Sequence, residues 1–286
     1  MELAETHIAH TIPTPIRLQE YAVGIFATVP TKSGIKKAIK KERILVNNTI
    51  ASTGLFIQEG DCIHLYQTAE KEMALKSVNL SLSLLFEDDF LAIIHKPAGI
   101  LVSGNAFYTI DNALPQQLQP SSQKDAVRPR PVHRLDYPTS GVLLIGKTSS
   151  AITQLNNLFK ERTIQKTYHA INYGLMPCAG NITQLIDGKQ AHTDYRVLES
   201  APSKRFGTLH LVVLEPKTGR KHQLRKHLKH INAPILGDRT YGKEDLVLQG
   251  KGLYLHASSL SFIHPFTQES IHCASPLPKK FKRIFP

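Results

Sequence analysis

Cysteine and long apolar runs are both scarce in this chain. The three cysteines, Cys62, Cys178 and Cys273, are odd in number and far apart, so they indicate neither a disulfide framework nor a zinc site and fit a reducing compartment. The sequence lacks the run of about 18 apolar residues that a membrane-spanning helix requires. It also lacks a basic N-terminal segment followed by an apolar one, which marks a secretory signal. We therefore expect a cytoplasmic protein.

Acidic residues are few relative to basic ones. The 286 residues include 35 Lys and Arg but only 23 Asp and Glu, a net charge of +12, and such an excess indicates a polyanionic partner, most simply a nucleic acid. A phosphate-binding G-x-x-x-x-G-K loop, a dinucleotide fingerprint and a set of metal ligands are also missing, so no cofactor is predicted. The apolar fraction of 41% suffices for a sizeable core in one or two domains.

The chain is organised around the stretch HRLDYPTSGVLLIGK, residues 133–147. Asp136 lies among Pro, Thr, Ser and Gly and is followed by an apolar run, which predicts a tight loop at the mouth of a buried strand. Arg134 places a cation two residues away, an arrangement typical of a site that holds a charged substrate. The alternative is an aspartate that caps a turn beside a solvated arginine.

This stretch resembles the signature of the RluA branch of the RNA pseudouridine synthases, in which the Asp of H-R-L-D is the nucleophile. Further matches to that family extend the resemblance over about residues 84–285. They are the segment HKPAG at residues 95–99, a K-x-Y-x-A pattern around Tyr168, the pattern T-G-R-x-H-Q-L-R-x-H at residues 218–227, and NAPILGDRTYG at residues 232–242.

The resemblance implies a reaction and a role for several residues. Uridine in RNA would be flipped out of its stack, cut at the N-glycosidic bond and rejoined through carbon, without a cofactor. Asp136 would attack either ribose C1′ or the uracil ring, and the sequence does not choose between these routes. Arg225 would pair with Asp136 and favour its charged form. Tyr168 would stack on the uracil and handle a proton, and Arg134 would fill the gap left by the flipped base.

The segment from Arg220 to His230 is strongly basic, since eight of its eleven residues are Arg, Lys or His. On a helix only Leu224 and Leu228 are expected to face a core, and the remaining cationic surface, which carries no acid, predicts contact with a polyanion. We assign RNA contact to Arg134, His133, Arg220 and His222. His227 and His230 would share one side of the helix, where RNA contact or plain surface is favoured over metal binding.

The N-terminal part resembles a second RNA-binding unit. Residues 1–15 are predicted to be a flexible lead-in. In residues 16–69 a weak first helix around 18–27 precedes a basic helix capped by Ser33, a strand at 44–46 and a short alternating strand at 62–65. This order resembles the alpha-L RNA-binding module of a ribosomal small-subunit protein, with RNA contacts predicted at Lys36, Lys37, Lys40 and Arg43.

Residues 70–82 are predicted to be a linker and residues 83–286 the catalytic domain. We expect an α+β fold with a mixed, mainly antiparallel sheet and peripheral helices. The resemblance implies large-subunit ribosomal RNA as the substrate, because family members with such an N-terminal module typically act there, with transfer RNA as the alternative. A monomer without an obligatory protein partner is expected. Two other readings are an inactive RNA-binding protein on the same fold and a nucleosidase or glycosidase, whose chemistry normally needs two carboxylates.

Overall fold

The computed structural model describes residues 2–67, 78–246, 248 and 250–286. The chain divides into two compact units, Met1–Lys76 and Ser77–Pro286. Most of the predicted linker lies outside the described residues. Its described end, residues 78–82, contradicts the prediction, because Val78, Leu80 and Leu82 are buried in the core of the second unit. This segment therefore belongs to the second unit, because its alternating apolar side chains are buried there.

The N-terminal unit contains a four-stranded sheet in the order β1-β6-β3-β4, and a small pair of β2 with β5. The flexible lead-in predicted for residues 1–15 is wrong, because β1 pairs antiparallel with β6. The side chains of β1 are exposed or half-buried, so the pairing rests on backbone hydrogen bonds that hydrophobic periodicity does not reveal. The elements are β1 Glu2–Ile8, β2 Ile16–Arg17, α1 Leu18–Tyr21, α2 Lys32–Lys40, β3 Ile44–Val46, β4 Thr49–Ile50, β5 Phe56–Ile57 and β6 Cys62–Gln67.

Helix α2 separates an apolar face from a basic one. Ile35, Ala38 and Ile39 are buried in the core of this unit, while the Lys side chains of the opposite face are exposed. The helix is capped by Thr31, whose hydroxyl oxygen accepts the N–H of Gly34 at 3.1 Å, and not by Ser33 as predicted. The first helix, predicted over 18–27, ends at Tyr21.

Among the described residues, the second unit is built on a ten-stranded sheet in the order β12-β13-β14-β11-β15-β10-β8-β7, with β16 paired to β15 and β9 to β10. All pairings are antiparallel except β10 with β15, so the sheet is mixed and mainly antiparallel, as predicted. Few helices accompany it. The strands are β7 Ser83–Glu87, β8 Leu91–Lys96, β9 Ala126–Pro131, β10 Ser140–Thr148, β11 Gln165–Tyr173, β12 Ala179–Ile182, β13 Thr193–Ser203, β14 Gly207–Pro216, β15 Leu255–Ile263 and β16 Ser270–Ala274; the helices are α3 Ile110–Ala113, α4 Ser149–Glu161, α5 Gln223–His230 and α6 Lys279–Lys282, with 3₁₀ turns at Leu114–Gln116 and Glu244–Leu246.

Strand β10 follows the central motif directly and is buried over its whole length. Its side chains alternate between two cores: Leu143 and Ile145 contribute to one, and Val142 and Leu144 to the other, which also contains residues of α4. Helix α4 is capped by Thr148, the last residue of β10, whose hydroxyl oxygen accepts the backbone N–H of Ala151 at 3.0 Å. The loop that carries Asp136 is therefore fixed to the most buried strand of the sheet.

The parallel pairing of β10 with β15 depends on Gly141. Gly141 lies opposite Ala257 and has a φ of 123°, and a Cβ atom there would lie 2.0 Å from the Ala257 carbonyl oxygen. Only glycine allows this approach. The start of β10, and with it the loop before it, is thereby held against β15.

Candidate active site

Asp136 occupies a turn that a buried lysine holds in place. The Thr139 N–H donates to the Asp136 carbonyl at 3.0 Å and closes the turn. Lys96, which is 0% exposed, donates from Nζ to the carbonyls of Thr139 at 2.7 Å, Pro97 at 2.9 Å and Tyr137 at 3.4 Å. Burial lowers the pKa of Lys96 to about 8, against the opposing attraction of Asp136. The ammonium group thus joins the carbonyls that follow the aspartate in its loop to that of Pro97.

The Asp136 carboxylate faces the guanidinium of Arg225, as the resemblance implied. Arg225 Nη1 lies 3.4 Å from Asp136 Oδ2. The guanidinium is held more closely by Asp238, with Nε 2.7 Å from Oδ2 and Nη2 2.8 Å from Oδ1. The side chains of Arg225 and Asp238 are 6% and 0% exposed. Burial opposes the charge of Arg225, but Asp238 and then Asp136 outweigh it and raise its pKa.

Asp238 has a role that the sequence did not assign. It lies in the motif NAPILGDRTYG, and its Oδ1 also accepts the backbone N–H groups of Thr240 and Tyr241, each at 3.0 Å. The Tyr241 ring lies 4.9 Å from Arg225 Cζ, a cation–π contact. Asp238 and Tyr241 therefore fix the position of the Arg225 guanidinium. The available signal was the aspartate of the motif at residues 232–242, but nothing in the sequence linked it to Arg225.

His222 adds a second polar group at Asp136. Its Nε2 lies 3.8 Å from Asp136 Oδ1, and its Nδ1 lies 2.9 Å from the Tyr241 hydroxyl. The residue precedes α5 in a left-handed conformation, with a φ of 54°, which turns the chain toward the carboxylate. Burial lowers the pKa of His222, although Asp136 opposes this shift.

Tyr168 lies on β11 at a shift in strand register between Thr167 and Tyr168. Such a bulge redirects a side chain, and Tyr168 packs against two cores and borders the same cavity as Asp136. Burial, followed by the charge of Asp136, raises the pKa of its phenol. The group therefore stays protonated at neutral pH, where it is suited to stacking and to donating a hydrogen bond but is a poor general base.

A cavity of about 220 Å³ opens over the carboxylate. A second cavity of about 760 Å³ adjoins it and shares Arg134, Asp136, His222 and Arg225 with it. Asp136 is 19% exposed, so its carboxylate is accessible from the cleft. The smaller cavity is lined by residues of the loop, β11 and the segment before α5, namely Arg134, Leu135, Asp136, Thr139, Tyr168, Pro216, Thr218, Gly219, Arg220, Lys221, His222, Gln223, Leu224, Arg225 and Leu255.

Of the remaining residues predicted to contact RNA, some border the cavities and others lie in the N-terminal unit. Arg134 is exposed and borders both cavities, and Arg220 borders the smaller one while its Nε donates to the Gln190 carbonyl at 3.0 Å. Lys36, Lys37, Lys40 and Arg43 lie in the N-terminal unit. The three lysines are exposed, whereas Arg43 is half-buried and donates from Nε to the Tyr66 carbonyl at 2.8 Å.

His133, one of the residues predicted to contact RNA, has both polar and aromatic partners within the chain. Its Nε2 accepts the backbone N–H of Leu144 at 3.0 Å, and its ring packs 4.8 Å from that of Phe159. Burial, with a smaller effect of Lys166, lowers the pKa of His133 to about 3. The imidazole is therefore neutral and ties the start of the motif to β10.

The prediction for the basic helix needs a correction. Arg225 and His227 are buried as well as Leu224 and Leu228, and His227 contacts Thr193 Oγ1 at 3.0 Å and the Gln184 carbonyl at 3.1 Å. Acids from other segments offset part of the charge, since Asp187 pairs with Lys226 at 2.8 Å and Asp238 pairs with Arg225. The absence of acids from the helix itself therefore does not by itself indicate a polyanionic partner.

Together these groups define a class of site. An accessible carboxylate, an arginine held by a second carboxylate and a protonated phenol border a cavity with cationic walls, which suits covalent catalysis by a carboxylate on an anionic polymer. Asp238 cannot act as a second catalytic carboxylate, because it is buried and both its oxygens are bound. The described residues contain no group of three or more His, Cys, Asp or Glu that could hold a metal ion.

Comparison with known proteins identifies the family. Residues 90–230 match the model of the RNA pseudouridylate synthase family. A Rickettsia bellii protein named ribosomal large subunit pseudouridine synthase C is 31% identical, with 96% of this chain and 99% of that protein covered. An uncharacterized RNA pseudouridine synthase of Aquifex aeolicus is 32% identical, over 89% of this chain and 88% of that protein. The chain therefore belongs to the RNA pseudouridylate synthase family, and it is an enzyme of the isomerase class that acts on RNA.

Solved structures agree with this assignment. Human RNA pseudouridylate synthase domain containing 4 is 29% identical and superposes with a TM-score of 0.57, covering 71% of this chain and 91% of that one. Human RNA pseudouridylate synthase domain containing 1 gives the same TM-score at 25% identity, covering 68% and 83%. Within the described ranges, no helix is long and apolar enough to cross a membrane.

Proposed function

We propose that the enzyme converts specific uridines of large-subunit ribosomal RNA to pseudouridine, with Asp136 as the nucleophile. The observation that carries the proposal is the pairing of an accessible Asp136 with Arg225 at 3.4 Å on the wall of a cavity. The choice of RNA is supported by relatives named ribosomal large subunit pseudouridine synthase C, such as that of Rickettsia prowazekii, 32% identical over 95% of this chain.

Each residue of the site has a role in this proposal. Arg225 offsets the cost of a charged carboxylate beside RNA phosphates, so that Asp136 stays nucleophilic. Tyr168 stacks on the uracil and donates from its protonated hydroxyl, while Arg134, exposed at the mouth of both cavities, occupies the gap left by the extruded base. His222 and Arg220 contact the substrate beside the carboxylate. The geometry suits attack on either ribose C1′ or the uracil ring.

The N-terminal unit is proposed to be an alpha-L RNA-binding domain. The exposed basic face of α2, with Lys36, Lys37 and Lys40, supports this role, since such a stripe can neutralise successive phosphates. Arg43 donates from Nε to the Tyr66 carbonyl within its own unit, and its remaining N–H groups would bind RNA phosphates. We further propose that the enzyme acts in the cytoplasm as a monomer, without a cofactor or an obligatory protein partner.

Mapping pseudouridines in total RNA tests this proposal. Cells that lack the gene should lose pseudouridine at one or a few positions of large-subunit ribosomal RNA, and wild-type enzyme should restore them while Asp136→Asn should not. Loss of pseudouridine only from transfer RNA would refute the ribosomal assignment. An unchanged map in both RNAs would favour an inactive RNA-binding protein, and release of free uracil by the purified enzyme would favour a nucleosidase.

A further inference from the structure

A second groove adjoins the active-site cavity. It has a volume of about 480 Å³ and lies between the end of α4, the start of β11 and the end of β14. Arg134, Tyr168 and Arg220 border both spaces, so the groove continues the active-site cleft. A notch of about 300 Å³ extends it at Arg162 and Lys166.

Lys166 is partly buried in this groove without an acidic partner. Among the residues that the structure describes, no carboxylate lies within salt-bridge distance of its Nζ, and its nearest ring contact is Phe159, with Nζ 5.9 Å from the ring centroid. Burial, and then the charge of Arg162, lowers the pKa of Lys166. A partly buried cation next to a like charge costs stability, and an anion supplied from outside would offset that cost.

Arg162 is the second unmatched cation of the notch. It ends α4 in a left-handed conformation, with a φ of 63°, and its backbone N–H caps the helix, a position where Gly or Asn is usual. The helix C-terminus favours a cation there. In the described part of the chain Arg162 likewise has no carboxylate within salt-bridge distance.

The other charged groups of the notch offset one another. Glu215 is present, but its Oε2 pairs with Lys217 Nζ at 3.1 Å, and Lys217 also pairs with Asp194 at 3.2 Å. His133, which lines the adjoining groove, is neutral. The net positive charge of the notch therefore comes from Arg162 and Lys166.

We propose that Arg162 and Lys166 bind a backbone phosphate of the RNA strand beside the extruded nucleotide. Lys166 lies two residues before Tyr168 on β11, which places their Cα atoms about 6–7 Å apart, and both residues border the groove. A phosphate between the two cations would replace their repulsion by two charge-assisted hydrogen bonds. The inference rests on the proposed function, since it takes Tyr168 as the position of the uracil.

Salt-dependent binding to a fluorescein-labelled RNA hairpin with uridines in its loop tests this site. Full-length Lys166→Gln and Arg162→Gln should each bind about fivefold more weakly than wild type at moderate salt, and each should reduce the slope of log K against log salt by about 0.7 to 0.9. Lys282→Gln is the matched control, because Lys282 is exposed on α6 and outside the groove, and it should leave both quantities unchanged. Wild-type affinity and slope in both groove variants would overturn the proposal, as would an equal loss in Lys282→Gln.

Thermal unfolding separates this role from a structural one. Removing one of two neighbouring like charges should leave the Tm of Lys166→Gln equal to or above that of wild type. A lower Tm with unchanged RNA affinity would assign Lys166 to packing and overturn the proposal. Equilibrium binding does not depend on turnover, so a wild-type enzyme that makes no pseudouridine in ribosomal RNA would refute the proposed function while the salt slopes still decide the phosphate site.

Discussion

Arg225 is bound more closely by Asp238 than by Asp136. Two nitrogens of the guanidinium lie 2.7 and 2.8 Å from the oxygens of Asp238, whereas a single nitrogen lies 3.4 Å from Asp136. Asp238 therefore fixes the arginine before substrate binds, and Asp136 can form a covalent bond without releasing the cation from its support. Such preorganisation is the main contribution that fixed charges make to catalysis.

Replacing Asp136 by Asn should abolish the reaction while preserving RNA binding. The amide keeps the shape of the side chain but removes its negative charge and its nucleophilic oxygen, so the single-turnover rate should fall by roughly a thousandfold or more. The Kd for RNA should stay within a few fold of wild type, because removing a carboxylate does not weaken the attraction between the cationic side chains of the site and the RNA phosphates. Filter binding and pseudouridine detection on one RNA measure both. Appreciable turnover by the variant would eliminate the covalent mechanism.

Replacing Arg225 by Lys should reduce turnover although the charge is kept. A lysine cannot make two bonds to Asp238 and at the same time reach Asp136, because its ammonium is a point charge and not a planar fork. We expect a loss of roughly a hundredfold in kcat with a smaller change in KM. Arg283→Lys, on an exposed residue, is the matched control. Near-normal kcat for Arg225→Lys would show that charge alone is sufficient and that the geometry set by Asp238 is dispensable.

The family resemblance implied the pairing of Asp136 with Arg225, and otherwise the sequence predicted only parts of this site that are contiguous in the chain. The turn at Asp136 and the strand after it follow from turn residues and a continuous apolar run. Lys96 and Asp238 escaped assignment because their bonds to the loop and to Arg225 join segments that only the fold brings together. Strand β1 was missed because an edge strand with exposed side chains lacks an apolar alternation. The burial of His227 was missed because α5 buries a wider face than its two leucines indicate.

Stability should decrease as the pH falls from about 6.5 toward 4. His256 is buried between Ser140, whose hydroxyl oxygen lies 2.9 Å from Nδ1, and the Ser275 carbonyl, 3.3 Å from Nε2. Burial lowers its pKa from 6.5 to about 4. Between these values the unfolded chain binds the proton and the folded one does not, so its contribution to stability, about 3 kcal/mol, is complete above pH 6.5 and lost as the pH falls to 4.

Urea unfolding at several pH values measures this contribution. His256→Gln should be less stable than wild type at pH 7.5, but its free energy of unfolding should change less between pH 6.5 and pH 4. His272→Gln, at an exposed histidine of β16, is the control and should keep the wild-type slope. Parallel pH profiles for wild type and His256→Gln would show that His256 does not carry the effect.

Neutralising α2 should weaken RNA binding without altering the chemical step. Lys36, Lys37 and Lys40 are exposed on one helix, remote in sequence from the groups that contact Asp136. If each contacts one phosphate, the triple Gln variant should lower the slope of log K against log salt by about 2. The single-turnover rate at saturating RNA should match wild type, because transition-state contacts are untouched.

The triple Gln variant of Lys279, Lys282 and Arg283 is the control, because it removes the same charge from the other unit. It separates a local contact of α2 with RNA from a general loss of positive charge. A wild-type slope in the α2 variant would show that this basic face does not contact RNA, and a slower saturated rate would show that it also positions the substrate.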